Sequence, residues 1–395
     1  MVARWRRLAA AHPQRDDRMF LKAGASGTLN LHFFTCLAAR PGPFPAVTWG
    51  SAPALAAAAA WFHPPADGRG RRDPFARRSL ATEVSRTAGW ALRGDPPPIE
   101  AELAATSARF AIVAFGTNDM VMAGTPRAAL SAYTADLGRV ADWLTANGVI
   151  PILTGPGPRA HVPAIAPWVA VFDAATRAVA ESRQVPYLSL EVLHRPLTGA
   201  GLARDGMHAN TARTGGVNSP CAFDAEGLRY GYNARNLETL RALDAVRRAV
   251  APGDAPPGDE PPTLGPPAAP ALVGAGRPEA PFRLDALPFV HPGWLAAGGE
   301  ARYVLDLPAA TALRVELVAG RGSAFSLEVA APAGEAPAGG RAPVRAGARF
   351  AEGRFSGGTW HLTVGRPATA GSEAGAARDY LLLVVPCPPG ETACR

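Results

Sequence analysis

Residues 110–119 read FAIVAFGTND, and this stretch decides the fold. Six consecutive apolar residues, Phe110 to Phe115, are too few for a helix, and they do not alternate as a half-exposed strand does. They read as a buried strand of the kind found in parallel sheets. Gly116-Thr117-Asn118-Asp119 then turns the chain at the strand's carboxyl end, where layered α/β folds place their chemistry. Outward from here, Met19–Lys22, Val149–Leu153 and Val185–Leu190 are further strand candidates. Between them Ala129–Asn147 and Pro167–Arg183 carry apolar positions at helical spacing with few breakers, and Leu237–Val250 reads as a closing helix. This alternation predicts an α/β layer structure with a parallel sheet.

At 395 residues the chain exceeds the size at which single cores stop growing, so two domains are expected. Apolar residues make up 48%, too many for a disordered chain, while no apolar run is long enough for a membrane span. Residues 251–281, APGDAPPGDEPPTLGPPAAPALVGAGRPEAP, hold too many prolines and glycines for a helix or central strand and predict a linker. It separates an α/β domain over 18–250 from a second domain over 282–395. In the latter, Tyr303–Leu307, Ala312–Val318, Ala324–Val329, Phe350–Phe355, Thr359–Val364 and Tyr380–Val385 are short strand patterns split by turns, as in a small β-sandwich.

The net charge is +7, yet 39 of the 40 basic residues are arginine and only Lys22 is lysine. The one dense run, Arg69, Arg71, Arg72, Arg77 and Arg78, sits in a Gly/Pro/Asp-containing stretch that reads as an exposed loop rather than a nucleic-acid face. Nucleic acid is not an expected partner. Four cysteines allow three complete pairings and lack CxxC spacing. Cys387 with Cys394 would close a small terminal loop and leave Cys36 with Cys221; four free thiols are the alternative. Disulfides would place the chain in an oxidising compartment, secreted or periplasmic. Residues 1–17, MVARWRRLAAAHPQRDD, lack the apolar stretch of a secretion signal. No oligomeric state is specified, and a two-domain chain need not dimerise.

Three loop motifs can carry chemistry. Gly24-Ala25-Ser26-Gly27-Thr28 follows the first strand, and its glycines permit a sharp turn that projects the Ser26 hydroxyl; alone it equally marks a helix cap. Gly116-Thr117-Asn118-Asp119 offers an amide side chain to an oxyanion, or merely an Asx turn. In Asp205-Gly206-Met207-His208 the carboxylate can orient one ring nitrogen while the other takes a proton, although DxxH is common by chance.

Together, in this order and context, the three motifs resemble those of the SGNH, or GDSL-like, hydrolases over about residues 18–250. The resemblance implies a three-layer α/β/α, flavodoxin-like parallel sheet and a serine esterase that needs no cofactor or metal. It assigns Ser26 as nucleophile, His208 as general base and Asp205 as its orienting acid. The oxyanion hole would come from the Ser26 amide, the Asn118 side chain and a glycine amide of a second motif, for which Ser85–Trp90 suggests Gly89. Ala25 departs from the family's usual aspartate, which would leave the nucleophile turn less firmly held.

Small-molecule or polysaccharide esters are the implied substrates; His63–Arg78 and Ala209–Tyr232 are long enough to wall a cleft. Trp143 and Trp168 fit apolar helix faces and are expected in the core, Phe33 and Phe34 are expected to pack the first helix, and His161 reads as a loop residue. Residues 282–395 resemble pre-peptidase C-terminal-like β-domains, which implies an accessory role; core packing is the expectation for Trp294 and Trp360. Two other readings compete: a metal hydrolase using Asp119, Asp205 and His208, and a secreted carbohydrate-binding protein whose α/β portion has lost turnover.

Overall fold

The structure, a computed structural model, describes residues 1–40, 42–50, 52–63, 73–122, 124–250, 276–277, 279–284, 287, 289–319, 324–331, 344–347, 349–368 and 378–386. The chain divides into two compact units, Met1–Leu264 and Gly265–Arg395. Most of the proposed 251–281 linker, with Arg69, Arg71, Arg72, Cys387 and Cys394, lies outside the described residues.

In the first unit α1 (Val2–Ala11) precedes β1 (Asp16–Gly24), a single helical turn α2 (Ser26–Leu29), α3 (Leu55–Phe62) and α4 (Pro98–Thr106). Then follow β2 (Ala108–Ala114), α5 (Asp119–Met122), α6 (Pro126–Ala146), β3 (Ile150–Thr154), α7 (Trp168–Arg183), β4 (Tyr187–Leu188) and α8 (Leu190–His194). A small hairpin, β5 (Arg213–Thr214) with β6 (Val217–Asn218), and α9 (Gly231–Val250) complete it. The main sheet runs β1-β2-β3-β4, all parallel. Residues 108–113 of β2 are buried without interruption, as a central strand covered on both faces requires.

Alternation along the strands sorts the core. Phe20, Phe110, Ile112, Ile150 and Ile152 meet α3 and α9 through Phe62, Leu240 and Leu243, and Trp5 of α1 joins them. On the other side α6 and α7 pack against β3, with Tyr133 and Phe172 in ring contact at 5.0 Å. The result is the expected three-layer α/β/α arrangement. Helix α6 starts with Pro126 after Thr125, whose hydroxyl accepts from the Ala128 amide at 3.2 Å.

Several expectations need correcting. The helix after Ser26, α2, ends at Leu29, so Phe33 and Phe34 lie beyond it in irregular chain, stacked at 4.6 Å and buried in the core against residues of α3 and α9. Arg77 is not in an exposed loop: it pairs with Glu102 at 2.7 Å and is turned inward. Trp143 and Trp168 are only half-buried, each lying at the margin of its helix's apolar face.

The second unit is built from β7 (Phe282–Leu284), β8 (Phe289–Leu295), β9 (Glu300–Leu307), β10 (Thr311–Ala319), β11 (Ser326–Ala330), β12 (Val344–Gly347), β13 (Phe350–Phe355), β14 (Gly358–Gly365) and β15 (Arg378–Pro386). One sheet runs β12-β13-β10-β15-β8 and another β11-β14-β9-β7, and side chains from both make one core. Strand β8 contains Pro292, which the sheet accommodates because β8 is an edge strand. Trp360 is in the core, hydrogen-bonded to the Ser356 carbonyl at 3.0 Å, whereas Trp294 is exposed against expectation on that edge.

Candidate active site

The carboxyl ends of β1 and β2 bring the first two motifs side by side, because Gly24 pairs in register with Ala114. A side chain at Gly24 is excluded: a Cβ there would stand 2.6 Å from Thr28 Oγ1 and 2.7 Å from the Ala114 carbonyl. The chain turns at Ala25, and Ser26 opens α2. Ala25 makes no side-chain cap, so the turn is held by other means. Its carbonyl accepts from Thr28 and Leu29, and Gly24 is clasped by the Ala81 carbonyl and the Glu83 amide at 3.0 and 3.2 Å.

A single-turn helix leaves the Gly27 carbonyl without its helical partner. Two side chains of α9 fill the gap: Arg235 Nη1 donates to the Gly27 carbonyl at 2.9 Å and the Tyr232 hydroxyl does so at 3.2 Å. Arg235 Nη2 also donates to Thr28 Oγ1 at 3.0 Å, and the guanidinium lies 4.1 Å over the Phe33 ring. Burial lowers the Arg235 pKa to about 10. Tyr232 ends the Ala209–Tyr232 stretch expected to wall the cleft, whereas Arg235 lies beyond it, and only the fold reveals their shared partner more than 200 residues away.

The base turn closes on itself. Asp205 Oδ1 accepts the amides of Met207 and His208, each at 2.9 Å, an Asx-type turn that fixes the loop. Asp205 Oδ2 lies 2.7 Å from His208 Nδ1, and His208 Nε2 lies 2.9 Å from Ser26 Oγ. With Nδ1–H donating to the carboxylate, Nε2 keeps the lone pair that accepts the serine proton, a tautomer assigned from this network. Burial pushes the Asp205 pKa up, but the Met207 amide, the imidazole and the His208 amide outweigh it and hold the group at about 2. Asp205 therefore stays ionised wherever an esterase would work.

Asn118 stands across the cleft, its Nδ2 donating one hydrogen to the Arg86 carbonyl at 3.0 Å. Gly116 makes this turn possible: its φ is +109°, and a Cβ would meet the Tyr133 hydroxyl at 3.0 Å. Asp119 secures the turn by accepting the amides of Gly116 and Ala88, both at 2.9 Å. Burial raises Asp119 to about 6 although those amides oppose it. These bonds engage the third ligand of the metal alternative, and no group of three His, Cys, Asp or Glu among the described residues is placed to hold a metal.

Gly89 is not brought to the cleft. It lies in the turn Ala88–Leu92, where a Cβ would stand 2.2 Å from Asp136 Oδ2. The residue of that stretch that lines the cleft with Ser26, Asn118 and His208 is Arg86, presented by Ser85 in a left-handed conformation. Among the described residues neither the Ser26 nor the Arg86 amide donates a hydrogen bond. The cleft measures about 70 Å³ and is walled by Gly155–Pro158, Met207 and Leu202. Cys36 and Cys221 form a disulfide buried in the core, and Asn236 of α9 ties its two ends by donating to the His32 and Pro220 carbonyls. His161 is exposed.

Among the described residues, no helix is long and apolar enough to cross a membrane. No curated protein matches the sequence significantly. Among solved structures, the chain is similar to a GDSL-like lipase from Bacteroides thetaiotaomicron, at 14% identity over 62% of this chain and 98% of that one with a TM-score of 0.37. It is similar to an acetylxylan esterase from Geobacillus stearothermophilus, at 15% identity over 57% and 93% with a TM-score of 0.35. It is also similar to the pre-peptidase C-terminal domain of collagenase from Bacillus anthracis, at 18% identity over 26% and 91% with a TM-score of 0.20. Residues 45–212, which hold Arg86, Asn118, Asp205 and His208 but begin after Ser26, match the model of the GDSL-like lipase/acylhydrolase family, and the match supports hydrolysis of esters in general.

Proposed function

We propose that the protein is a serine esterase that hydrolyses carboxylic esters, acyl or acetyl groups on carbohydrate among them, through an acyl-enzyme. The observation that carries this reading is the continuous chain Ser26 Oγ, His208 Nε2, His208 Nδ1, Asp205 Oδ2, with contacts of 2.9 and 2.7 Å. His208 takes the Ser26 proton as Oγ attacks the ester carbonyl, and ionised Asp205 stabilises the imidazolium that forms. The carbonyl oxygen becomes an oxyanion, met by the Ser26 and Arg86 amides and by the Asn118 side chain. His208 returns its proton to the leaving alkoxide, which departs as alcohol. Water then gives a proton to His208 and attacks the acyl-serine; collapse returns the proton to Ser26 and releases the acid.

A cleft of about 70 Å³ is far smaller than the roughly 300–1,000 Å³ of sites that enclose drug-sized ligands, which favours a short acyl group with the alcohol left outside. Anchoring of Gly27 by Arg235 and Tyr232 answers the objection raised by Ala25, because the turn is fixed from behind rather than by its own side chain. The Cys36–Cys221 disulfide supports an oxidising compartment, secreted or periplasmic. The test is the intact mass of wild type and Ser26→Ala after exposure to an activated organophosphonate ester. One adduct on wild type, missing from the variant, is expected; a folded wild type that takes none refutes the nucleophile.

A further inference from the structure

We propose that Arg159 is a positioning residue that holds the Asn118 turn and the His208 turn in register with each other. The inference rests on the esterase reading above, and it names a side chain that lies behind the cleft.

Arg159 lies on the loop after β3 and is 6% exposed. Its Nη1 donates to the carbonyl of Thr117, the residue before Asn118. Its Nη2 lies 3.4 Å from Met207 Sδ, the residue before His208, and 3.0 Å from His161 Nε2. The same loop grips the base turn through its backbone, since the Ala160 and His161 amides donate to the Gly206 carbonyl at 2.8 and 3.3 Å. The residues immediately preceding the oxyanion side chain and the general base are thus tied to one planar group.

A buried guanidinium ordinarily has a carboxylate partner, because an uncompensated charge in the interior is costly. Arg159 has none among the described residues. Desolvation lowers its pKa, and its Nε is buried without a partner. A charge kept at that cost, with its donors placed on acceptors from two reactive turns, is explained by what it spaces apart. The rigid fork matters here: an ammonium on a flexible stem can reach one acceptor but does not fix the angle between two.

The effect would fall on the geometry of reaction. A misplacement of about 1 Å between reacting groups costs about a hundredfold in rate. Substrate binding in the cleft does not touch Arg159, so turnover should fall while KM holds.

The test uses the full chain, p-nitrophenyl acetate kinetics, and titration of active sites with the phosphonate to count competent molecules. Arg159→Met is expected to lower kcat per titrated site about ten- to a hundredfold with KM within about twofold. Arg159→Lys should recover part of that loss. A merely structural role would lower the melting temperature and the number of titratable sites, and leave kcat per site alone. Folded Arg159→Met with kcat per site within about twofold of wild type overturns the proposal. Should that variant not fold, Arg159→Lys decides the matter: an unchanged kcat per site overturns the proposal, and a loss at constant KM supports it. Wild type that is neither labelled nor active removes the esterase reading and this one together, whereas labelled wild type with an indifferent Arg159→Met removes this one alone.

Discussion

Replacing Asp173 by asparagine should make the α/β unit more stable in alkaline than in acidic buffer, relative to wild type. Asp173 lies in α7, buried, with Oδ2 accepting from the Ser189 hydroxyl at 2.7 Å and Oδ1 without a partner against Gly155. Burial raises its pKa from 3.8 to about 7, and the hydrogen bond from Ser189 only partly opposes this. Below about pH 4 the group is protonated in both folded and unfolded chains. Between about 4 and 7 only the unfolded chain releases the proton, so the folded state binds more protons and wild type loses stability as pH rises. Above the folded value both forms ionise and the penalty stays constant. A rise from 3.8 to about 7 corresponds to a ceiling of about 4 kcal/mol.

Asparagine keeps the volume and an acceptor for Ser189 and removes the titration. The assay is urea unfolding of both proteins from about pH 5 to about pH 8.5, read as the difference in unfolding free energy at each pH. Asp119, raised to about 6, pulls in the same direction as Asp173. His194 pulls the other way: burial and then the Arg235 charge lower it to about 4, so its share of stability is lost as pH falls from about 6.5. Both are common to the two proteins and cancel in the difference. A difference that stays flat across the range would refute the reasoning, whatever its absolute size.

Three further outcomes are expected. Asn118→Ala should lower kcat about 10²–10³-fold on p-nitrophenyl acetate with little change in fold, because it removes one of the three donors proposed for the oxyanion; turnover equal to wild type would sink that role. Glu102→Gln should cost about 3–5 kcal/mol in urea unfolding, since the fully buried Glu102 carboxylate accepts two bonds from Arg77, at 2.7 and 2.9 Å, and one from the Leu80 amide. A midpoint shift too small to measure would show that the charge on Glu102 is dispensable. Cys36→Ser with Cys221→Ser removes a crosslink between residues 185 apart and should cost up to about 5 kcal/mol by chain entropy; the double variant unfolding at the wild-type urea concentration would contradict it.

What the sequence disclosed and what it concealed divide along a physical line. FAIVAF announces a doubly covered strand because six apolar residues in a row have no other economical home, and β2 follows that reading closely. GTND and DGMH are legible because each is a self-contained turn whose side chain bonds to amides two or three residues away. Strand β8 escapes because Pro292 and Gly293 break its pattern, and only its place at the sheet edge, a non-local fact, makes the proline harmless.

The substitution of Arg86 for Gly89 is the same lesson at the site. What the proposed oxyanion hole would require from that loop is a backbone N–H, and an amide belongs to every residue but proline, so no residue type can mark it. Gly89 stands out by residue type alone, whereas the left-handed Ser85 and the Asn118 contact to the Arg86 carbonyl place Arg86 at the cleft. Arg235 and Arg159 are hidden for a related reason. In a chain with 39 arginines, two that are buried look like the rest, and their meaning lies in acceptors some 42 to 208 residues distant. The reactive groups are therefore written locally while the residues that hold them are not, so substitutions behind the cleft, rather than in the motifs, are the more searching test of how this site is built.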